Sequence, residues 1–135
     1  MTRPLAAIKA LAVLAPVVLS VCAIVPDTPM VRGEAKAQGL PVALGESVWQ
    51  GDTILTPLSV IEDSRCPRDV RCIHAGKLVV STRITATHWQ QTAPMVLGEP
   101  YTVMNRSYVL KGATPGQVAG QAIPPGAYRF SFGAP

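Results

Sequence analysis

The chain has 135 residues, with 12 basic against 8 acidic side chains and a hydrophobic fraction of 48%. That length holds one domain and leaves no room for two comfortable ones. Removing everything through Ala37 leaves 98 residues with 8 basic and 6 acidic side chains, too even a balance for the concentrated basic face that phosphate backbones require, so no nucleic-acid partner is expected.

The first 25 residues read as an export segment. Arg3 and Lys9 form a basic start, and the 16 residues from Ala10 to Val25 carry no charge. That run is shorter than the ~20 residues of a spanning helix and contains Pro16, which suits a signal-peptide apolar core. Val21-Cys22-Ala23 and Ala35-Lys36-Ala37 both offer small residues at the two positions that signal peptidase reads, so cleavage after Ala23 or after Ala37 is expected. Lipidation at Cys22 is a third reading, weakened by Val21 where Gly, Ala or Ser is usual. An uncleaved anchor from Leu5 to Val25 would have to tolerate Lys9. Each reading places the domain outside the cytoplasm, periplasmic or secreted, with membrane contact only through an uncleaved or lipidated N-terminus.

Cysteine usage agrees with this. Cleavage at either position removes Cys22 and leaves Cys66 and Cys72, an even pair in an oxidising compartment. A disulfide over so short a loop would stabilise the fold by about 2–3 kcal/mol.

Residues 26–41 mix Pro, Gly, Ala and charge without apolar periodicity, and read as a linker before a domain at 42–135. Val42 to Trp49 alternates moderately and ends at the turn signal Gly51-Asp52. Ile54 to Ile61 is apolar and β-branched, with Pro57 marking an edge or a bulge. Leu78, Val80, Thr82 and Ile84 alternate with Val79, Ser81, Arg83 and Thr85, the clearest half-buried strand in the chain. Shorter apolar stretches follow at Pro94 to Leu97, Tyr101 to Met104 and Tyr108 to Leu110. Ala113 to Gly126 reads as a long loop, and Tyr128, Phe130 and Phe132 put three aromatics on one face of a closing strand. The predicted fold is mainly β, a small antiparallel β-sandwich or barrel of about six strands.

The most distinctive stretch is Glu62-Asp63-Ser64-Arg65-Cys66-Pro67, followed by Val70, Cys72, His74, Ala75 and Gly76. It resembles a segment of an uncharacterised family of small exported bacterial proteins, E-D-S-R-C-P, then V-x-C, then typically Trp-Ala-Gly before a strand, with His74 standing where those proteins usually have Trp. The resemblance spans the 15 residues from Glu62 to Gly76 and implies export without implying an activity.

Physically, this segment joins two strands. Pro67 removes a backbone donor, Gly76 is free to take a positive φ, and Asp63, Ser64 and Asp69 suit local turns. Arg65, Arg68 and Arg71 have Glu62, Asp63 and Asp69 as neighbours to pair with. The segment therefore reads first as a charged connection kept rigid for stability. A second reading makes Arg65, Pro67, Arg68, Asp69, Arg71 and His74 an interaction loop for an envelope or extracellular protein partner. A third inserts Arg68 or Arg71 into the acidic pocket of a trypsin-like protease, making the chain a secreted serine-protease inhibitor.

Catalytic patterns are absent. His74 and His88 are the only histidines, without metal-ligand spacing, so no metal or cofactor is expected. There is no G-x-S-x-G, no Gly-rich phosphate loop, and Glu62 and Asp63 would point to opposite faces of a strand. The expected function is a non-enzymatic structural or interaction module of the cell envelope.

Overall fold

The computed structural model describes residues 33–135; the apolar export segment, Cys22 and the cleavage position after Ala23 lie outside the described residues. Strands β1 (Val48–Gln50), β2 (Thr53–Asp63), β3 (Leu78–Thr85) and β4 (Gln90–Val96) form one antiparallel sheet in that order. Strands β5 (Pro100–Val103), β6 (Arg106–Thr114) and β7 (Arg129–Gly133) form a second, with one 3-10 turn at Pro125–Ala127 before β7. The two sheets are open, not closed into a barrel.

Turn chemistry sets two of the registers. Gln50 pairs with Thr53 across Gly51-Asp52, and Gly51 takes φ +64°, as the first residue of a two-residue hairpin loop of this kind requires. Val103 pairs with Arg106 across Met104-Asn105, where both residues have positive φ, 47° and 59°. That is a type I′ turn made without glycine, and Met104 pays a steric cost there that Gly or Asn would largely avoid.

The core is shared. Leu55, Leu78, Val80, Ile84 and Met95 from the first sheet meet Tyr108, Leu110, Phe130 and Phe132 from the second, all buried. Each such side chain contributes roughly 1.5–3 kcal/mol on leaving water. The aromatic stripe lies as the alternation predicts, with Tyr128 and Phe130 stacked at 5.5 Å between ring centres. β3 departs from the half-buried reading. It is the strand flanked by β2 and β4 along its length, so Val79 and Arg83 on its other face are buried as well.

Chain crossings tie the sheets at both sides. Val42 exchanges two backbone hydrogen bonds with Phe130 of β7, at 2.9 and 2.8 Å. On the other side, Leu97 N–H donates to Leu78 and Gly98 N–H to Leu110, both at 2.9 Å, so the chain passes from one sheet to the next between adjacent residues. Part of the stretch expected as linker is engaged too. Lys36 N–H donates to Ser47 at 2.7 Å, Trp49 N–H donates to Lys36 at 2.9 Å, and Lys36 Nζ pairs with Glu46 at 2.7 Å.

β2 carries the feature that positions the site. Its register against β3 shifts twice, between Pro57 and Ser59 and between Val60 and Glu62. Each bulge puts an extra residue out of the ladder, leaving Leu58 exposed and Ile61 59% exposed. Two shifts cancel in parity, so Asp63 pairs with the buried Leu78 and shares its core-side face, while Glu62 pairs with Val79 on the other.

Candidate functional site

Past β2 and before β3 the two arms stay paired. Ser64 N–H donates to Lys77 at 2.8 Å and Cys66 N–H to Ala75 at 3.1 Å, so residues 64–77 extend the β2–β3 hairpin. Gly76 takes φ +66°, and a Cβ there would lie 1.7 Å from the Ser64 carbonyl oxygen; only glycine lets the arms approach this closely. Cys66 and Cys72 form a disulfide with their Cα atoms 5.9 Å apart, closing the outer part of this extension beyond its paired base.

Asp63 holds the base to the rest of the domain. Arg65 grips its carboxylate through two parallel bonds, Nε to Oδ1 at 2.7 Å and Nη2 to Oδ2 at 2.8 Å. Tyr128, just before β7, donates its hydroxyl to Oδ2 at 2.8 Å, and Gln117 donates to the Asp63 carbonyl at 3.0 Å. Arg65 also donates to the carbonyls of Ala113 and Pro115 at 3.3 and 3.1 Å. The pair is well shielded, with side-chain exposures of 7% for Asp63 and 15% for Arg65. Burial raises the Asp63 carboxyl pKa, but the bonds from Arg65 and Tyr128 outweigh it and hold the group down at about 2. Burial and the bond to Asp63 push the Tyr128 hydroxyl up to about 12.

Further contacts fix the loop against the connector between β6 and β7. Arg68 N–H donates to the Gln117 carbonyl at 3.0 Å, Asp69 Oδ1 accepts the Ala119 amide at 2.9 Å, and Val70 N–H turns back to Pro67 at 3.3 Å.

The six residues singled out from sequence thus divide. Arg65 and Asp69 are turned to holding the loop in place, and Pro67 starts its turn. Arg68, Arg71 and His74 are exposed. Among the described residues Arg68 and Arg71 belong to no ion pair; Lys77 takes Glu62 at 3.5 Å and Arg65 takes Asp63. Two apolar side chains outside those six are exposed in the same loop, Val70 and above all Ile73, which is 96% exposed. A cleft of about 210 Å³ separates the loop from the connector, with Arg68 on one side and Val118, Gln121 and Ile123 on the other. His88 lies elsewhere, in a hollow with Asp52, Trp89 and Arg106. Among the described residues no three His, Cys, Asp or Glu side chains are grouped to hold a metal ion, and no helix is long and apolar enough to cross a membrane.

Tyr128 and Gln117 were missed because they lie 65 and 54 residues from Asp63. The only hint was a tyrosine among the phenylalanines of the aromatic stripe, since a buried hydroxyl needs a partner. Comparisons with family models, curated proteins and solved structures find no match to this chain.

Proposed function

We propose that this chain is an exported, non-enzymatic interaction module of the cell envelope, and that residues 68–74 are its contact surface. The observation that carries this reading is Ile73, 96% exposed on a loop whose backbone is held by the disulfide, the Asp63–Arg65 pair and the bonds to Gln117 and Ala119. An isoleucine left in water is worth roughly 1.5–3 kcal/mol to a partner that covers it. A loop already ordered adds little ordering cost to that binding. Arg68 and Arg71, exposed in the same loop, supply the charge-assisted contacts common at interface centres. Export is supported by the charge-free run from Ala10 to Val25, the likeness of the Glu62–Gly76 segment to small exported bacterial proteins, and the disulfide.

The inhibitor reading is less well supported. Arg68 sits in the turn from Pro67 to Val70 with its N–H already bound to Gln117, away from the extended form in which peptides add to a partner's strand.

The test is a photo-crosslinking residue placed at Ile73 and, separately, at the exposed Met104 in the turn between β5 and β6, in cells that export the chain naturally. A discrete adduct is expected at position 73 alone, and it should disappear when Cys66 and Cys72 are changed to Ser. No adduct at 73, or the same adducts at both positions, sinks the proposal. Stoichiometric inhibition of trypsin that is lost in Arg68→Ala or Arg71→Ala would replace it with the secreted-inhibitor reading.

A further inference from the structure

We infer that the cleft between the disulfide loop and the β6–β7 connector binds the free C-terminal carboxylate of a peptide chain ending in an aliphatic residue. This rests on the interaction-module reading and names what one part of its surface takes. Among the described residues, Arg68 is the only charged one lining the cleft, and it has no anionic partner. Its nearest acidic neighbour in sequence, Asp69, is turned to the Ala119 amide at 2.9 Å. An arginine at the edge of an apolar cleft suits a planar carboxylate, which accepts two parallel N–H bonds from a guanidinium.

The walls decide what accompanies that carboxylate. Val118, Ile123, Pro115 and Pro124 are apolar, and Ile123 packs against the core; Gln121 is the second polar side chain. At about 210 Å³ the cleft is smaller than the ~300–1,000 Å³ of whole small-molecule sites, and it suits one aliphatic side chain better than an extended ligand. Its two sides are locked together by Arg68 N–H on Gln117 and Asp69 on Ala119, so the shape is present before any ligand arrives. A chain end meets these demands at once: one charge, one apolar side chain, and a main chain leaving through the open mouth.

The test is a titration of the folded chain, followed through the methyl signals of Val118 and Ile123, with N-acetyl-L-leucine, N-acetyl-L-leucinamide and hexanoate. N-acetyl-L-leucine should shift both residues saturably at millimolar concentration, as expected for so small a probe. The amide should bind roughly tenfold more weakly, the loss of one charge-assisted contact. Arg68→Ala should weaken the acid by a similar factor with an unchanged melting temperature, and Arg68→Lys should fall between.

Equal binding of acid and amide, indifference to Arg68→Ala, or no shift at all overturns the inference. Hexanoate binding as tightly as N-acetyl-L-leucine overturns the chain-end assignment in favour of a free aliphatic acid. If the Ile73 adduct forms while the acid fails to bind, the cleft assignment falls and the module reading stands. Binding of the acid without that adduct does the reverse.

Discussion

The two ends of β2 carry nearly the same set of residues and use it differently. At the start, Asp52 pairs with Arg106 while Tyr108 donates to Thr53 at 2.9 Å, linking the first hairpin to the second sheet. At the finish, Asp63 pairs with Arg65 while Tyr128 donates to the same carboxylate. Asp52 and Arg106 are 70% and 45% exposed, whereas Asp63 and Arg65 are shielded from water. Water screens the first pair and competes for its hydrogen bonds, whereas the second is largely shielded and is held by Tyr128 and the Ala113 and Pro115 carbonyls. An ion pair's weight therefore follows its surroundings more than its chemistry, and the heavier one stands at the base of the proposed contact loop.

Substitution at the two aspartates should break this symmetry most sharply. Asp63→Ala leaves Arg65 shielded without its counter-ion and Tyr128 without its acceptor, and should cost roughly 3 kcal/mol. On a domain of this size that lowers the melting temperature by about 10–20 °C. Asp52→Ala should leave it nearly unchanged. Equal losses in thermal unfolding would remove the distinction between the ends.

Replacing Cys66 and Cys72 together by Ser should cost about 2–3 kcal/mol, measured by urea unfolding. Asp63, Arg65 and Tyr128 should still hold the paired base, so amide exchange should rise in residues 67–74 and not at Ser64 or Lys77. Exchange spreading into the base would mean that the disulfide, and not Asp63, holds the loop to the sheets.

Acid should separate the ends next. The Asp63 pKa lies below its unfolded value near 3.9, so its stabilisation is complete above that pH and is lost as pH falls through about 2. About 2 kcal/mol should disappear over that window, and Asp63→Asn should flatten that part of the pH–stability curve. The Tyr128 hydroxyl has the opposite sign. Its pKa is raised, so its contribution is complete below about 10 and is lost as pH rises through about 12. Tyr128→Phe should remove the alkaline limb and leave most of the acid one.

The smallest expected effect lies in the turn at the exposed end. Met104 holds φ +47° in a turn that favours Asn or Gly, so Met104→Gly should stabilise the chain by about 1 kcal/mol. A loss of stability there would mean that the methionine side chain contributes packing its exposure does not suggest.

Much of this was open to reading from the residues alone, and the failures have physical causes. The alternation in β3 and the aromatic stripe located the core because both follow the period of a strand. β2 lies where its apolar, β-branched run puts it, with a bulge at Pro57, but the second bulge, which turns Ile61 outward, leaves no mark in the hydrophobic pattern. The pairing of Arg65 with Asp63 lay among the expected neighbours, but its shielding came from residues of the β6–β7 connector far along the chain. Ile73 reads as one more apolar residue before a strand. Only the closed loop shows that nothing in the domain covers it.

The engagement of Lys36 with β1 distinguishes the two cleavage positions expected from the sequence. Cutting after Ala37 would detach two main-chain hydrogen bonds and the Glu46 ion pair from the folded domain, whereas cutting after Ala23 would leave them in place. The Ala37 carbonyl also accepts the Leu40 N–H at 3.2 Å, and the Gln38 side chain accepts the Gly51 N–H at 3.1 Å. A peptidase reaching Ala37 after folding would have to prise this stretch away from β1 before it could cut.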